Sequence, residues 1–65
     1  MARINGIYIE ISEETTLLEY IEKEGYDINY IAVECNGNII PKSQYGVRVI
    51  NVHDVIEIIN FVGGG

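Results

Sequence analysis

The chain has 65 residues with one cysteine, a length that allows a single domain without an internal disulfide. Its formal net charge is −6 and only four residues are Lys or Arg, which argues against nucleic-acid binding because phosphate contacts need cations. Nothing approaches the roughly 20 apolar residues of a membrane span, and polar residues interrupt the apolar run near the N-terminus, so we expect a cytoplasmic protein without a signal peptide.

The first predicted element is a β-hairpin over about residues 2–11. Asn5 and Gly6 lie between apolar residues, and this dipeptide favours a type I′ turn, in which both central residues have positive φ. Three isoleucines then alternate with other residues, which predicts a half-buried strand with these isoleucines pointing inward. They are Ile7, Ile9 and Ile11.

The next predicted element is an amphipathic helix over roughly residues 16–24. Its apolar residues recur at helical spacing, and its charged residues take the other face. Thr16 and Glu19 fit a capping box, and Gly25 fits a left-handed helix end. A helix this short is not stable by itself in water, so we expect its apolar stripe to lie on a sheet.

A third strand is predicted after the helix. Ile31, Val33 and Cys35 alternate along it and share one face, and Asn36-Gly37 gives a second tight-turn signal. Pro41 prevents simple continuation of a central strand and begins a turn or a short helical turn.

Two more strands are predicted towards the C-terminus. "GVRVINV", residues 46–52, is interpreted as a short edge strand, and "VIEIINFV", residues 55–62, as the last strand. Ile56 and Ile58 share one face of that last strand. The other face carries Val55, Glu57, Ile59 and Phe61.

The face of the last strand that carries Glu57 is predicted to meet solvent. Ile59 and Phe61 would then form an exposed apolar patch beside an acid, which is typical of a protein-docking site. We predict a partner-binding surface made of Glu57, Ile59, Phe61 and Val62. The alternative is that a central strand tolerates apolar residues on both faces.

The element order is therefore β-β-α-β-β-β. It predicts an α+β domain, a mixed sheet of four to five strands with one helix packed across it and the first and last strands parallel at its centre. This order resembles the β-grasp arrangement of ubiquitin-like proteins. We place the domain at residues 1–62 and a flexible glycine tail at residues 63–65.

The closing "FVGGG" allows three interpretations. The glycines are frayed terminal residues, an expression scar, or the arm of a reactive terminal carboxylate. No other residue offers a stronger candidate for chemistry. Cys35 is predicted to be a buried structural thiol, His53 a polar turn residue and the acidic helix face a solvated surface, and no metal site or phosphate loop is recognisable.

Two segments, "VECNGNIIPKSQY" and "HDVIEIINFVGGG", resemble the ThiS family of thiamine-biosynthesis sulfur carriers. The resemblance covers essentially the whole chain. Two positions differ from the usual family pattern: this chain has His53 where family members often have glycine, and Tyr45 where they often have tryptophan. The other matching residues are Val33, Asn36, Gly37, Pro41, Lys42, Asp54, Ile56, Glu57, Ile58, Phe61, Gly64 and Gly65.

The resemblance implies a carrier rather than an enzyme, with no stably bound cofactor. A ubiquitin-activating-type (ThiF-like) enzyme would use ATP and Mg²⁺ to adenylate the Gly65 carboxylate. A sulfur donor fed by a cysteine desulfurase would convert it to a thiocarboxylate, and thiazole synthase (ThiG-like) would take the sulfur. Gly63 and Gly64 would form the flexible tail.

Two alternatives stay open at this point. One is a sister sulfur carrier, either the small subunit of molybdopterin synthase, against which the short chain counts, or a carrier for tRNA or cysteine sulfur. The other is a ubiquitin-like protein modifier or a purely structural module.

Overall fold

The computed structural model describes residues 1–61. Five strands and one α-helix make up the domain, with short 3₁₀ turns at Ile28–Tyr30 and Lys42–Gln44. The strands are β1 (Ala2–Ile4), β2 (Ile7–Ile9), β3 (Ile31–Cys35), β4 (Asn38–Ile40) and β5 (Val55–Asn60), and the helix is α1 (Leu17–Lys23).

Both tight turns form where the Asn-Gly dipeptides predict them. Asn5 and Gly6 have φ of 52° and 80°, and Asn36 and Gly37 have φ of 53° and 87°. Asparagine and glycine are the residues that most readily adopt this left-handed conformation. The turns fix the pairing of β1 with β2 and of β3 with β4, which is antiparallel in both hairpins.

The helix begins and ends as its sequence predicts. The Thr16 N–H donates to Glu19 Oε1 at 2.8 Å, and the Glu19 N–H donates to Thr16 Oγ1 at 3.1 Å, which completes the capping box. Glu24 is the C-cap, and Gly25 follows with φ of 81°. Leu17 and Ile21 of this helix are fully buried, so its apolar stripe lies in the core as expected.

The sheet confirms the expected β-grasp topology. Its strand order is β2-β1-β5-β3-β4, with β5 in the middle. β1 runs parallel to β5, and β3 runs antiparallel to it. The core lies between the helix and one sheet face. Its buried apolar residues are Ala2, Ile4, Leu17, Ile21, Ile31, Val33, Cys35, Tyr45, Ile50, Ile56 and Ile58.

Two expectations are wrong. The segment 46–52 is not a sheet strand; it makes one isolated bridge, Thr16 with Val49, and the fourth strand is instead β4. Ile7 shares the core-facing side of the sheet but is not buried as expected. It pairs with buried Ile4 but is 62% exposed, because it lies on the outermost strand at the end of the hairpin, whereas Ile9 and Ile11 do pack against the core.

Candidate functional site

The two faces of β5 have opposite environments, as the alternation predicts. Ile56 and Ile58 are 1% and 7% exposed and belong to the core. On the other face Ile59 is 52% exposed, and Glu57 is also exposed. Phe61, just beyond the strand, is 56% exposed. A central strand therefore presents apolar side chains to solvent on the sheet face opposite the helix, which we call the outer face.

Neighbouring strands extend the outer face in ordered rows. The register pairs Glu57 with Glu34, and Glu34 in turn with Ile39 of the edge strand. The adjacent row pairs Ile59 with Ala32. Residues paired across neighbouring strands point to the same face, so two carboxylates lie side by side between apolar residues. On the other side of β5, the row contains Val55, Arg3 and Tyr8, and the Arg3 guanidinium lies 5.9 Å from the Tyr8 ring centroid.

The end of β5 is held beside the start of β3. The Phe61 N–H donates to the Tyr30 carbonyl at 2.9 Å, which continues the β3–β5 ladder to the last described residue. Tyr30 is also exposed, so two exposed aromatic residues are paired at the last described position of β5 and β3. The predictions for Val62, Gly63, Gly64 and Gly65, and with them the domain boundary at residue 62, fall outside the described residues.

The beginning of β5 is fixed by the turn between β3 and β4. The Asn36 N–H donates to the Val55 carbonyl, and the Val55 N–H donates to Asn36 Oδ1, each at 2.8 Å. On the opposite side, the Ile58 N–H donates to Asn5 Oδ1 at 2.7 Å. A slip of one residue would turn the core side chains of a strand towards solvent. These bonds therefore determine which residues of β5 form the outer face.

A buried carboxylate supports this arrangement. Asp54 accepts hydrogen bonds from the Asn51 N–H at 2.7 Å and from Asn36 Nδ2 at 2.9 Å, and forms an ion pair with Arg48 Nη2 at 3.2 Å. Burial by itself raises the pKa of Asp54, but these bonds more than offset it, so that the pKa lies below its ordinary value. Asp54 is therefore ionised at neutral pH and holds the β3–β4 turn against the start of β5.

Cys35 is a structural residue, as predicted. Its side chain is buried, and Arg48 Nη2 lies 2.9 Å from its sulfur. Burial, with a contribution from the charge of Asp54, raises the pKa of the Cys35 thiol, which stays protonated at neutral pH.

His53 is an exposed turn residue as expected, and buried Tyr45 serves as a packing residue. Among residues 1–61, no cluster of His, Cys, Asp and Glu side chains could hold a metal ion.

Sequence reasoning missed the polar network around Asp54. Its members come from three separate segments, so no periodic pattern connects them along the chain. Asn36 and Asp54 did appear among the residues that match the family pattern, but nothing in their spacing indicated that Asp54 is buried. Arg48 gave no signal, because it lies in a segment that was interpreted as an edge strand.

Comparison with known proteins identifies the family. The ThiS family model matches residues 2–65. The chain belongs to the ThiS family, the sulfur carriers of thiamine biosynthesis. Sulfur carrier protein ThiS from Bacillus subtilis is 33% identical over 66 residues, and the match covers 100% of both chains.

Other ThiS-like chains are known alone and as parts of longer proteins. The crystal structure of ThiS from Geobacter metallireducens has a TM-score of 0.78 at 22% identity, covering 98% of this chain and 97% of that one, which supports the β-grasp fold. A thiazole synthase from Paramagnetospirillum magneticum is 39% identical over 62 residues, which are 95% of this chain. This chain spans only 19% of that relative's length.

No helix in the described part of the chain is long and apolar enough to cross a membrane.

Proposed function

We propose that this ThiS-family chain carries sulfur as a thiocarboxylate on Gly65. An ATP- and Mg²⁺-dependent activating enzyme adenylates the Gly65 carboxylate, and pyrophosphate leaves. A sulfur donor that a cysteine desulfurase has loaded as a persulfide then attacks the acyl-adenylate and displaces AMP, which leaves the donor joined to Gly65 through an acyl disulfide. A thiol reductant cleaves the S–S bond and frees the thiocarboxylate, whose sulfur is delivered to thiazole synthase. The chain is a protein co-substrate and its partners supply the catalytic groups. Because ATP is the activating substrate, the proposal places these reactions in the cytosol.

The observation that carries this proposal is a family match that continues through Gly65. The similarity to a segment of a thiazole synthase supports that enzyme as the sulfur acceptor, because segments fused in one protein act together in another. The structure supports the proposal in a further way, since the outer face and the aromatic pair Tyr30 and Phe61 lie where a partner would grip the domain next to residues 62–65.

The residue types after Phe61 suit this chemistry. An acyl-adenylate must be shielded from water, so the terminal carboxylate has to reach an enclosed site on the partner. Glycines have no side chain to collide with a narrow channel, and their backbone groups can hydrogen-bond to its walls. Ordering such a segment costs conformational entropy, which opposes tight binding and favours release to the next partner.

Intact mass spectrometry tests the proposal. The purified chain is incubated with ATP, Mg²⁺, the activating enzyme of the same organism, its sulfur donor, the cysteine desulfurase, cysteine and a thiol reductant. We expect a mass gain equal to the difference between sulfur and oxygen, which thiazole synthase then removes. The mass before incubation also establishes whether Gly65 is the last residue of the native protein.

Variants of the last residues sharpen this test. Deletion of Gly65 or Gly64→Leu should abolish the mass gain and leave the melting temperature unchanged. Gly46→Ala is the control, since a methyl group there meets only Leu18 Cδ2 at 3.7 Å, and it should load normally. Normal loading of the Gly65 deletion, or consumption of the sulfur by a molybdopterin synthase large subunit instead, would overturn the proposal.

A further inference from the structure

The backbone of β2 is open to pairing on the side away from β1. Within residues 1–61, β2 is the outermost strand at one end of the sheet. Ile4 and Ile7 are paired across the two-residue turn and form a hydrogen-bonded pair, which makes Arg3 and Tyr8 the following, non-hydrogen-bonded pair. The N–H and C=O groups of Tyr8 therefore point away from β1, towards the open edge.

The two edges of the sheet are not equally protected against a further strand. The opposite edge, β4, runs directly into Pro41, which has no N–H, and then Lys42. Proline and lysine are residues that commonly block pairing at a sheet edge, and β2 contains neither. Ile7 moreover lies on the core-facing side but is 62% exposed, so a strand added to β2 would cover it.

A groove of about 300 Å³ lies beside this edge, between β2 and α1. Its apolar lining comes from the half-buried side chains of Ile9, Ile11 and Tyr20. Alternate side chains of a strand added to β2 would point to the helix side of the sheet, next to Ile7 and Ile9. These side chains would enter the groove, so backbone pairing and side-chain burial would occur together.

The rim of the groove is negatively charged. Three carboxylates line it, those of Glu10, Glu19 and Glu24, with Lys23 as the one cation among the lining residues. Burial raises the pKa of the Tyr20 hydroxyl, and the charge of Glu24 raises it further. The potential of that carboxylate therefore reaches into the groove, where it would attract a basic segment and repel an acidic one.

We infer that the groove between β2 and α1 binds an extended, basic segment of a partner protein, which pairs with β2 as a sixth strand. Aliphatic side chains of the segment pack against Ile9, Ile11 and Tyr20, and its Lys or Arg residues lie against the carboxylates of the rim. Charge favours this occupant over a second copy of the chain, which also carries −6 and would bring an equally acidic edge.

This site is separate from the outer face. The groove lies on the helix side of the sheet, and β1 stands between β2 and β5. A partner bound here would leave Phe61 and residues 62–65 accessible, so one protein could hold the carrier while another acts on Gly65. Binding at the groove goes beyond the proposed function and does not depend on sulfur loading.

The first experiment titrates the full, ¹⁵N-labelled chain with the peptide acetyl-Lys-Lys-Val-Thr-Val-Lys-Lys-amide and follows the amide signals by NMR. The two valines occupy alternate positions to fill the groove, and the lysines face the rim. We expect saturable binding with a dissociation constant below about 1 mM. The largest shifts should fall on residues 7–11 and 19–24, with nuclear Overhauser contacts between the peptide backbone and Tyr8.

Matched peptides test charge and backbone pairing separately. Glutamates in place of the lysines should weaken binding at least about tenfold. One further peptide is N-methylated at both valines and another at the threonine. Because only alternate N–H groups of a strand face its neighbour, one of these two peptides should lose binding and the other should keep it. Equal binding of the acidic peptide, or unchanged binding of both methylated peptides, would refute the inference.

Two double variants of the chain test the position of the site. Glu10→Gln with Glu24→Gln removes two charges of the rim, whereas Glu34→Gln with Glu57→Gln removes two charges of the outer face. Glu19 is kept because it caps α1. The rim variant should bind the basic peptide about threefold or more weakly and the outer-face variant less than about 1.5-fold more weakly. Equal weakening would mean that only the general field of an acidic domain attracts the peptide.

The remaining outcomes are distinct from those of the proposed function. The wild-type chain saturated with the basic peptide should still gain the mass of sulfur. If it binds the peptide but never loads, the proposed function is wrong and the groove stands. Peptide shifts centred on β4 or the outer face, peptide-dependent loss of loading in the wild type but not in the rim variant, or a dimer of the free chain paired through β2 would overturn the inference.

Discussion

At the scale of single residues, the charge of Asp54 is predicted to stabilise the fold. Asp54→Asn should lower the free energy of unfolding by about 2–3 kcal/mol at pH 7, because it leaves the partly buried guanidinium of Arg48 without its counter-ion. Urea denaturation measures this change. Asp27→Asn is the matched control: Asp27 is exposed, and its bond to the Asn29 N–H can be kept by an amide oxygen, so its effect should be near zero.

The same residue predicts a pH dependence. The pKa of Asp54 is lowered in the folded state, so its contribution is complete above the ordinary carboxyl value of 3.8 and is lost as the pH falls through the lower folded value. The difference in unfolding free energy between wild type and Asp54→Asn should therefore shrink steadily below pH 3.8. A difference that stays constant down to the acid transition would show that Asp54 acts through packing rather than charge.

Phe61 gives the second prediction at this scale. Its side chain is 56% exposed, so Phe61→Asp should change the free energy of unfolding by no more than about 0.5 kcal/mol. Binding of the activating enzyme should weaken about tenfold or more, as for an aromatic residue at the centre of an interface. Val52→Asp, at an equally exposed apolar position before β5, serves as the control and should bind normally. Unfolding of the Phe61 variant would place that residue in the core.

At the scale of elements, the capping box of α1 is open to a direct test. Thr16→Ala removes the oxygen that accepts from the Glu19 N–H and should cost about 1 kcal/mol in urea denaturation. Thr16→Ser should restore most of the loss, since it keeps the hydroxyl. Ser12→Ala is the control, because at that position the carbonyl, not the side chain, accepts the hydrogen bonds of Thr15. An equal loss in the control would argue that the whole loop, rather than the cap, is sensitive.

Elements with strong local signals could be predicted from the sequence. The two Asn-Gly turns and the capping box depend on contacts between residues at most three positions apart. The alternation along β5 also predicted its exposed face correctly. Once the buried residues on one side of a strand are known, every second residue must point to the opposite face. For the same reason, the outer face could be proposed as a docking surface before any coordinates were known.

The segment 46–52 shows where such reasoning fails. Its alternating valines are typical of a strand, but Val47 is 69% exposed, whereas Ile50 is 5% exposed. It begins as a turn, in which the Arg48 N–H donates to the Gln44 carbonyl. Its later backbone bonds go to the residues around the start of α1: the Leu17 N–H donates to the Arg48 carbonyl, and the Ile50 N–H donates to the Thr15 carbonyl. Alternation alone therefore does not show that a segment is extended throughout, nor which neighbour takes its hydrogen bonds. The Arg48–Asp54 contact depends on the same long-range arrangement.

At the scale of the whole molecule, the net charge of −6 should act mainly on how fast partners meet, whereas the outer face should act on how long they stay together. Raising the salt concentration from about 0.01 M to about 1 M shortens the screening length from roughly 30 Å to roughly 3 Å. The association rate constant with the activating enzyme should therefore fall by about tenfold or more over this range, with a much smaller change in the dissociation rate constant. Stopped-flow mixing at several salt concentrations measures both.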